Sequence, residues 1–220
     1  MKIDIISVQP EMFRGFLEES IVARAVKKGL CEVNIIDLKE YGLGRWKKTD
    51  DRPYGGGPGL LMRCEPWFDA VEPRLPARVI MTSPKGKRWD QQDARAFSQE
   101  EHLVFLCGHY EGFDARIETL ATDFRSLGDF VMTGGELAAA AMVDSIVRLI
   151  PGALGGGTAA TSAESFGADG LLEYPQYTHP AEFRGMKVPE VLLSGDHLKI
   201  ESWRKAQSLR LTARERPDLV

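Results

Sequence analysis

The stretch SLGDFVMTGGELAAAAMVDSIVRLIPG, residues 126–152, decides the fold class of this chain. Its first part predicts a strand that runs to Met132, and its second part predicts a helix rich in alanine and aliphatic side chains. Between them, Gly134 and Gly135 remove two Cβ atoms, so the backbone can take positive φ and a ligand can lie against its amides. This corner indicates a ligand-binding turn, although a connection that needs glycine only to turn has the same pattern.

The predicted helix carries two charged residues, Asp144 and Arg148, four positions apart on one face. A solvated pair at this spacing contributes little to stability. Beside a glycine corner, however, Arg148 could serve as a fixed cation. Both interpretations remain open at this point.

Composition sets the broad class of the protein. The chain has 220 residues, of which 43% are hydrophobic and 27% charged, enough for one large domain or a medium domain with a small one. It shows neither a long apolar run nor a signal-peptide pattern, so we expect a soluble cytoplasmic protein without a membrane segment. The three cysteines lack a CxxC motif and predict reduced thiols, and the spacing of the four histidines predicts no metal site.

The order of predicted elements indicates an α/β fold with a parallel sheet. Residues 1–8 and 31–38 read as strands and residues 10–28 as one helix between them, which is a β-α-β opening. Later strands end near residues 82, 107 and 132, and a glycine-containing loop follows each of them. The carboxyl ends of parallel strands meet at one edge of the sheet, where ligands bind. Three such loops indicate a binding site more strongly than any one of them.

A long loop at residues 39–59 mixes cations with aromatic side chains, notably Arg45, Trp46 and Tyr54. This combination suits phosphate contact and base stacking. Its glycine run lacks a following Gly-Lys-Ser/Thr, and Pro58 removes an amide, which argues against a nucleoside triphosphate loop. The net charge of −4 requires that any nucleic-acid binding use such local patches.

Composition changes after Pro151, where a small, glycine-rich stretch reads as a linker. We predict a first domain at residues 1–157, a flexible linker at 158–169 and a small, mainly helical C-terminal domain at 170–220. A basic helix that starts near Asp196 is either a solvated face or an RNA-facing surface.

Several long motifs carry a family resemblance, and in chain order they are DDRPYGGGPG, SPKGKRWD, CGHYEGFDAR, SLGDFVMTGGEL, EYPQYTHP and VPEVLLSGDH. Together they closely resemble the TrmD family of bacterial tRNA (guanine-N1)-methyltransferases, in the SPOUT superfamily, over nearly the whole chain. The resemblance implies a parallel sheet with a deep C-terminal trefoil knot. It also implies methyl transfer from S-adenosylmethionine to N1 of the guanine 3′ of the tRNA anticodon, which maintains the reading frame.

The resemblance also implies the cofactor-binding residues, which belong to three of the loops noted above. The matching positions are Met81, Thr82, Ser83 and Pro84 in the first loop, Gly108, Tyr110 and Glu111 in the second, and Ser126, Leu127, Gly128, Phe130, Met132, Gly134 and Gly135 in the third. An adenine ring needs an apolar slot with a few backbone donors and acceptors, and glycines let the main chain approach it. Ala138 stands where the family commonly has proline.

The implied chemistry requires a base for the proton on guanine N1 and a cation for the negative charge that grows on O6. By resemblance Arg148 supplies the charge. Where the family has Asp-Ser-Phe, this chain has Glu164-Ser165-Phe166. Glu164 is therefore the expected catalytic base, with Asp169 as the alternative.

The resemblance further implies an obligate homodimer whose linker orders over the partner's cofactor site. It assigns contacts with the tRNA anticodon stem-loop to Asp50, Arg52, Ser165 and the basic C-terminal unit. Relatives lead us to expect some Mg²⁺ dependence, although no carboxylate cluster in the sequence indicates an ion site. Many relatives continue with additional helix beyond the position of Val220, so a short C-terminal domain is expected to affect tRNA affinity.

Other functions share parts of this pattern. A SPOUT methyltransferase that acts on a ribose 2′-OH or on ribosomal RNA would use the same pocket without the linker carboxylate. A non-catalytic RNA-binding protein could keep the fold and lose the cofactor. A nucleophilic role for Cys107 is disfavoured, since a thiol that ends a buried strand is more typical of core packing.

Overall fold

The computed structural model describes residues 1–155 and 164–220. The chain divides into two compact units, Met1–Gly155 and Gly156–Val220. Of the predicted linker, residues 158–163 lie outside the described part. No helix within the described ranges is long and apolar enough to cross a lipid bilayer.

The first unit alternates strands and helices. Its strands are β1 (Lys2–Ser7), β2 (Glu32–Asp37), β3 (Asp50–Asp51), β4 (Leu61–Met62), β5 (Arg78–Arg88), β6 (His102–Leu106) and β7 (Asp123–Ser126). Its α-helices are α1 (Arg14–Glu18), α2 (Ser20–Lys27), α3 (Cys64–Val71), α4 (Gln91–Phe97) and α5 (Glu136–Val147). Short 3-10 helices lie at Pro10–Phe13, Leu38–Tyr41, Glu72–Arg74 and Ala115–Leu120.

Five of these strands form a parallel sheet in the order β2-β1-β6-β5-β7, so the predicted α/β class with a parallel sheet is confirmed. In β1, which lies between β2 and β6, Ile5 pairs with Ile35 on one side and Phe105 on the other. Successive residues of a strand point to opposite faces, and both faces are buried. One core contains Ile3, Ile5 and side chains of α2, α4 and α5, and the other contains Ile6 and side chains of α3. This burial explains the near-continuous apolar strands.

The prediction of one continuous helix at residues 10–28 is wrong. The structure has the 3-10 turn Pro10–Phe13, then α1, then α2, because Glu19 is extended and Ser20 has φ of 63°. After this break, α2 buries Val22 and Ala25 and leaves Val26 exposed.

The predicted strand that ends at Met132 is also wrong. Strand β7 ends at Ser126, whose hydroxyl accepts from the Gly128 amide at 3.1 Å and donates to the Gly128 carbonyl at 3.0 Å. Such local bonds compete with the strand ladder, and an irregular segment follows as far as Gly135. Strand β5, by contrast, is longer than predicted, because it continues through residues 83–86, which we expected to form a loop. Its register against β7 shifts between Thr82 and Lys87.

The second unit contains the hairpin β8 (Glu182–Phe183) and β9 (Met186–Lys187), the helices α6 (Glu190–Leu193) and α7 (His197–Glu215), and the final 3-10 turn Pro217–Leu219. The Asp196 carboxylate accepts from the Lys199 amide at 3.2 Å and caps α7. The predicted helix start near Asp196 is confirmed.

Candidate active site

A cavity of about 410 Å³ lies at the carboxyl edge of the sheet in the first unit. Every residue that the resemblance assigned to cofactor binding lines it, from Met81 in β5 to Gly135 before α5. The structure also brings residues to its wall that the sequence reading did not select. They are Lys85, His109, Gly112, Phe113, Glu118, Arg125, Val131, Thr133 and Ala138.

The two glycines of the corner allow close packing. They do not have the positive φ that the sequence analysis considered for them. Neither Gly134 nor Gly135 lies in the left-handed region, and Gly135 has φ of −85°. A Cβ on Gly135 would stand 2.0 Å from Thr82 Oγ1 and 3.0 Å from the Gly108 amide nitrogen. The Gly135 amide donates to the Gly108 carbonyl at 2.8 Å. Only glycine lets these loops approach so closely.

The segment between β7 and α5 passes from one strand of the sheet to another. Strand β7 lies at the sheet edge beside β5, yet Gly134 forms an antiparallel bridge with His109 in the loop after β6. The chain therefore crosses the end of β5 before α5 begins. This crossing brings all three loops to one cavity.

The two cations on the cavity wall, Lys85 and Arg125, are paired with carboxylates. Lys85 forms an ion pair with Glu118, and Arg125 contacts Asp93 at 3.3 Å and Asp123 at 3.1 Å. The negative charges of these carboxylates offset the positive charges of Lys85 and Arg125. The arrangement leaves backbone groups, short polar side chains and Glu111 to orient a ligand.

The glycine-rich loop of residues 55–59 is joined to the second cavity loop through β4. Leu60 accepts a hydrogen bond from the Glu111 amide at 3.0 Å, and the Met62 amide donates to Gly112 at 2.9 Å. A Cβ on Gly59 would stand 2.4 Å from Glu111 Cγ, and its φ is +76°. Glycine is therefore required where this loop turns against Glu111.

The same junction includes Tyr110 and the RNA-binding candidate Asp50. Partial burial raises the pKa of Tyr110, and the charge of the nearby Asp50 carboxylate and a hydrogen bond to it raise the pKa further. The phenol therefore keeps its proton at neutral pH and can donate to Asp50. The neighbouring candidate Arg52 is exposed, and its amide donates to Asp51 at 2.9 Å.

The expected catalytic residues lie apart from this cavity along the chain. Helix α5 has 12 residues and Arg148 follows it, so Arg148 is about 20 Å from the glycine corner at 1.5 Å per residue. A single chain therefore does not place Arg148 beside the corner, where the sequence reading put it. Its role in catalysis stays a prediction.

Glu164 and Asp169 belong to the second unit, where both line a cavity of about 530 Å³ with Tyr174 and Arg204. The structure thus brings together the two carboxylates between which the sequence reading did not decide. The hydroxyl of the RNA-binding candidate Ser165 accepts from the Glu173 amide at 2.9 Å.

Sequence reasoning missed the buried carboxylate of Glu136, the first residue of α5. Only 1% of this residue is exposed, and its Oε1 accepts from Ser7 Oγ at 2.7 Å. A glutamate in the first helical turn normally indicates interaction with the helix dipole in solvent. No local signal shows that Ser7 will lie beside it.

The sulfur and metal chemistry of the described residues is plain. Cys107 is fully buried, and burial raises the pKa of its thiol well above the usual range, which fits a packed thiol. In the ranges that the structure describes, no three His, Cys, Asp or Glu side chains are grouped to hold a metal ion.

Comparison with known proteins gives the same family over the full length. The family model "tRNA (Guanine-1)-methyltransferase TrmD" matches residues 1–220. The chain belongs to this family. A curated tRNA (guanine-N(1)-)-methyltransferase of Listeria welshimeri is 51% identical, and the alignment covers 100% of this chain and 92% of the relative.

Two further members agree with this assignment. The enzyme of the same name from Shouchella clausii is 51% identical and covered to 91%, and that from Limosilactobacillus reuteri is 49% identical and covered to 90%. In both comparisons the whole of this chain is aligned. The resemblance drawn from the motifs is confirmed, and the tRNA (guanine-N1)-methyltransferase family implies a reaction that depends on S-adenosylmethionine.

Proposed function

We propose that the chain is a methyltransferase that transfers the methyl group of S-adenosylmethionine to N1 of the guanine 3′ of the tRNA anticodon, in the cytoplasm. The observation that carries this proposal is the single cavity that collects the three motif loops at the carboxyl edge of the sheet. Full-length family membership supports the reaction class.

The cavity suits the cofactor in size and chemistry. Its volume of about 410 Å³ lies in the range of small-molecule sites. Met81, Leu127 and Met132 line the cavity with apolar side chains, and the glycine corners let the main chain form part of its wall. When bound, S-adenosylmethionine supplies the sulfonium methyl group that is transferred.

The transfer needs two protein groups at the target guanine. A carboxylate, which we assign to Glu164, takes the proton from N1, and a positioned base of this kind contributes a factor of about 10²–10⁴. The guanidinium of Arg148 stabilises the negative charge that develops on O6.

A homodimer is supported by exposed apolar side chains around the cavity. Val131 is 89% exposed, Leu137 59% and Phe130 57%, which is unusual for neighbouring large side chains on a monomer surface. The position of Arg148 at the far end of α5 fits a site completed by a second copy. We propose that one chain supplies the cavity and the partner supplies the linker carboxylate.

The crossing between β7 and α5 supports the trefoil knot as part of the proposal. The chain leaves the sheet edge, passes β5 and pairs with the loop after β6. A knot would hold the three cofactor loops together without side-chain bonds.

For the RNA, we propose that Asp50, Arg52 and Ser165 contact the anticodon stem-loop, together with the exposed cations of α7.

Mg²⁺ dependence is also part of the proposal. Mg²⁺ keeps several waters and is often held by one or two carboxylates and the substrate, so a dedicated three-ligand group is unnecessary. Chelation with EDTA followed by Mg²⁺ addition tests this point.

The proposed function is tested by methyl transfer from labelled S-adenosylmethionine to an unmodified tRNA with guanine 3′ of its anticodon. We expect nuclease digestion to give 1-methylguanosine at that nucleotide. Glu164→Gln should lower turnover by about 10²-fold or more and leave cofactor affinity unchanged. Asp169→Asn is the matched variant, because both carboxylates line the same cavity.

The outcomes separate the alternatives. Label on a ribose would identify a 2′-O-methyltransferase, and absence of cofactor binding in calorimetry would identify a non-catalytic RNA-binding protein. If Asp169→Asn loses turnover and Glu164→Gln does not, the base is Asp169.

Sharing of the site between two chains is tested by mixing two variants that each impair it. Gly135→Ala crowds the cofactor loops at Thr82 and Gly108, and Glu164→Gln removes the base. In a mixed dimer one site would combine an intact cavity with an intact carboxylate, so random mixing should restore about a quarter of wild-type activity. No recovery among confirmed mixed dimers would show that cavity and base belong to one chain.

A further inference from the structure

At the cavity wall lies a polar cluster of the buried Ser7 and Glu136 and the partly buried His109, which the proposed chemistry does not use. Ser7 Oγ donates to Glu136 Oε1 at 2.7 Å, and it also accepts from the Gln9 amide at 2.8 Å. The Ser7 hydrogen is thus committed to the carboxylate. Glu136 is held in one orientation from β1, at the N-terminal end of α5, where the helix dipole favours its negative charge.

The facing side chain is His109, which is also part of the cavity wall. Its Nδ1 lies 3.7 Å from Glu136 Oε1. Both His109 Nδ1 and Glu136 Oε2 are buried without a hydrogen-bond partner. Gly134 lies beside the two atoms, since a Cβ there would stand 2.2 Å from Oε2 and 2.7 Å from Nδ1.

Two unsatisfied buried polar atoms are costly, and a movement of less than about 1 Å would bring His109 Nδ1 within hydrogen-bond distance of the Glu136 carboxylate. A carboxylate only accepts, so the nitrogen that faces it must carry the proton. The other ring nitrogen, Nε2, then carries a lone pair. The imidazole ring meets the Tyr110 ring edge-on at 5.1 Å, which restricts its rotation.

We propose that Glu136 is a positioning residue that fixes the Nδ1–H tautomer of His109, so that Nε2 accepts a hydrogen bond from the bound cofactor. The inference rests on the proposed function, because it takes S-adenosylmethionine as the ligand of this cavity. The cofactor offers donors in its ammonium group, its adenine amino group and its ribose hydroxyls. Ligand binding then closes the gap between His109 and Glu136.

Two substitutions of His109 separate a cofactor contact from a purely structural one. The amide nitrogen of His109→Asn can replace Nδ1 and keep the Glu136 contact, but the side chain has no acceptor at the position of Nε2. His109→Gln reaches that position with its amide group and gives up the Glu136 contact. We expect calorimetry to show S-adenosylmethionine affinity about tenfold weaker for His109→Asn and a smaller loss for His109→Gln.

The carboxylate is tested by Glu136→Met and the conservative Glu136→Gln. The Gln side chain keeps an acceptor for Nδ1–H, so it should retain most of the affinity that Glu136→Met loses. Spectra of ¹⁵N-labelled histidine provide an independent readout, since they distinguish the two imidazole tautomers. In the wild type His109 should carry its proton on Nδ1 with cofactor bound, and Glu136→Met should abolish that preference.

The results separate this inference from the function on which it rests. If the wild type does not bind S-adenosylmethionine, the proposed function fails and the inference fails with it. If the wild type binds, the inference alone is overturned when His109→Asn binds as the wild type does, or when His109 carries its proton on Nε2. The His109 variants decide the question even if Glu136→Met does not fold.

Discussion

At the scale of single residues, Gly135 shows how a glycine can be required by its neighbours. Its position leaves no room for a methyl group beside Thr82 and the Gly108 backbone. We expect Gly135→Ala to lower the free energy of unfolding by about 1–3 kcal/mol, as overpacking does, and to weaken S-adenosylmethionine binding at least about tenfold. Denaturant titration and calorimetry measure the two effects.

Gly15 in α1 is the matched control for this prediction. A Cβ there meets nothing within 4 Å, and the residue does not have positive φ. Gly15→Ala should leave cofactor binding unchanged and stability equal or slightly higher, since alanine favours a helix. Equal behaviour of the two variants would show that close packing at Gly135 is unimportant.

At the scale of secondary-structure elements, Asp4 connects three neighbouring strands. From β1 its carboxylate accepts from Asn34 of β2 at 2.9 Å and contacts His102 of β6 at 2.9 Å. Burial by itself would raise the pKa of Asp4, but these hydrogen bonds and the charge of Lys2 hold the pKa below its ordinary value. The ionised carboxylate therefore stabilises the fold at neutral pH.

Asp4→Asn should lower the free energy of unfolding by about 1–3 kcal/mol at pH 7. A carboxyl group whose folded pKa is depressed stabilises the protein above its unfolded pKa of about 3.9, and the effect is lost as the pH falls through the folded value. The difference between wild type and variant should therefore shrink below about pH 4. Denaturant titrations across this range measure it.

Asp129→Asn serves as the control for Asp4, because Asp129 pairs with Arg88 on the surface and its side chain is 88% exposed. Its effect should stay within about 0.5 kcal/mol at every pH. A pH-independent loss for Asp4→Asn would mean that packing, and not ionisation, explains the role of Asp4.

At the scale of the whole molecule, RNA binding must overcome a net charge of −4. The exposed cations of α7 include Lys205 and Arg210. We expect the double substitution Lys205→Gln, Arg210→Gln to weaken tRNA binding and to reduce the slope of log affinity against log salt by up to about two. Affinity for S-adenosylmethionine should not change.

The control for this prediction is Lys199→Gln in the same helix. Lys199 pairs with Asp196 at 3.0 Å, so its charge is already offset within the chain. It should change tRNA affinity less than either Lys205→Gln or Arg210→Gln alone. If the double variant binds tRNA as the wild type does, α7 is a solvated face and not an RNA surface.

Much of the fold and of the candidate site follows from local pattern. The order of strand-like and helical segments predicted a parallel sheet with binding loops at one edge, and the family resemblance identified the residues of these loops that line the cavity. The points at which a helix or strand ends were harder to predict. Ser20 interrupts a helical pattern, and the Ser126 hydroxyl ends a strand although the apolar residues continue beyond it. Both effects depend on individual backbone angles and bonds, which hydrophobic periodicity does not report.

The sequence by itself determined the α/β class, the family and the loops that form the cavity, because these depend on the order and type of residues along the chain. Only the tertiary structure decided why Gly134 and Gly135 are glycines, and that Glu136 lies buried between Ser7 and His109. Ser7 and Glu136 are 129 residues apart. Contacts over such a separation arise when strands and loops pack in three dimensions, and no local pattern encodes them.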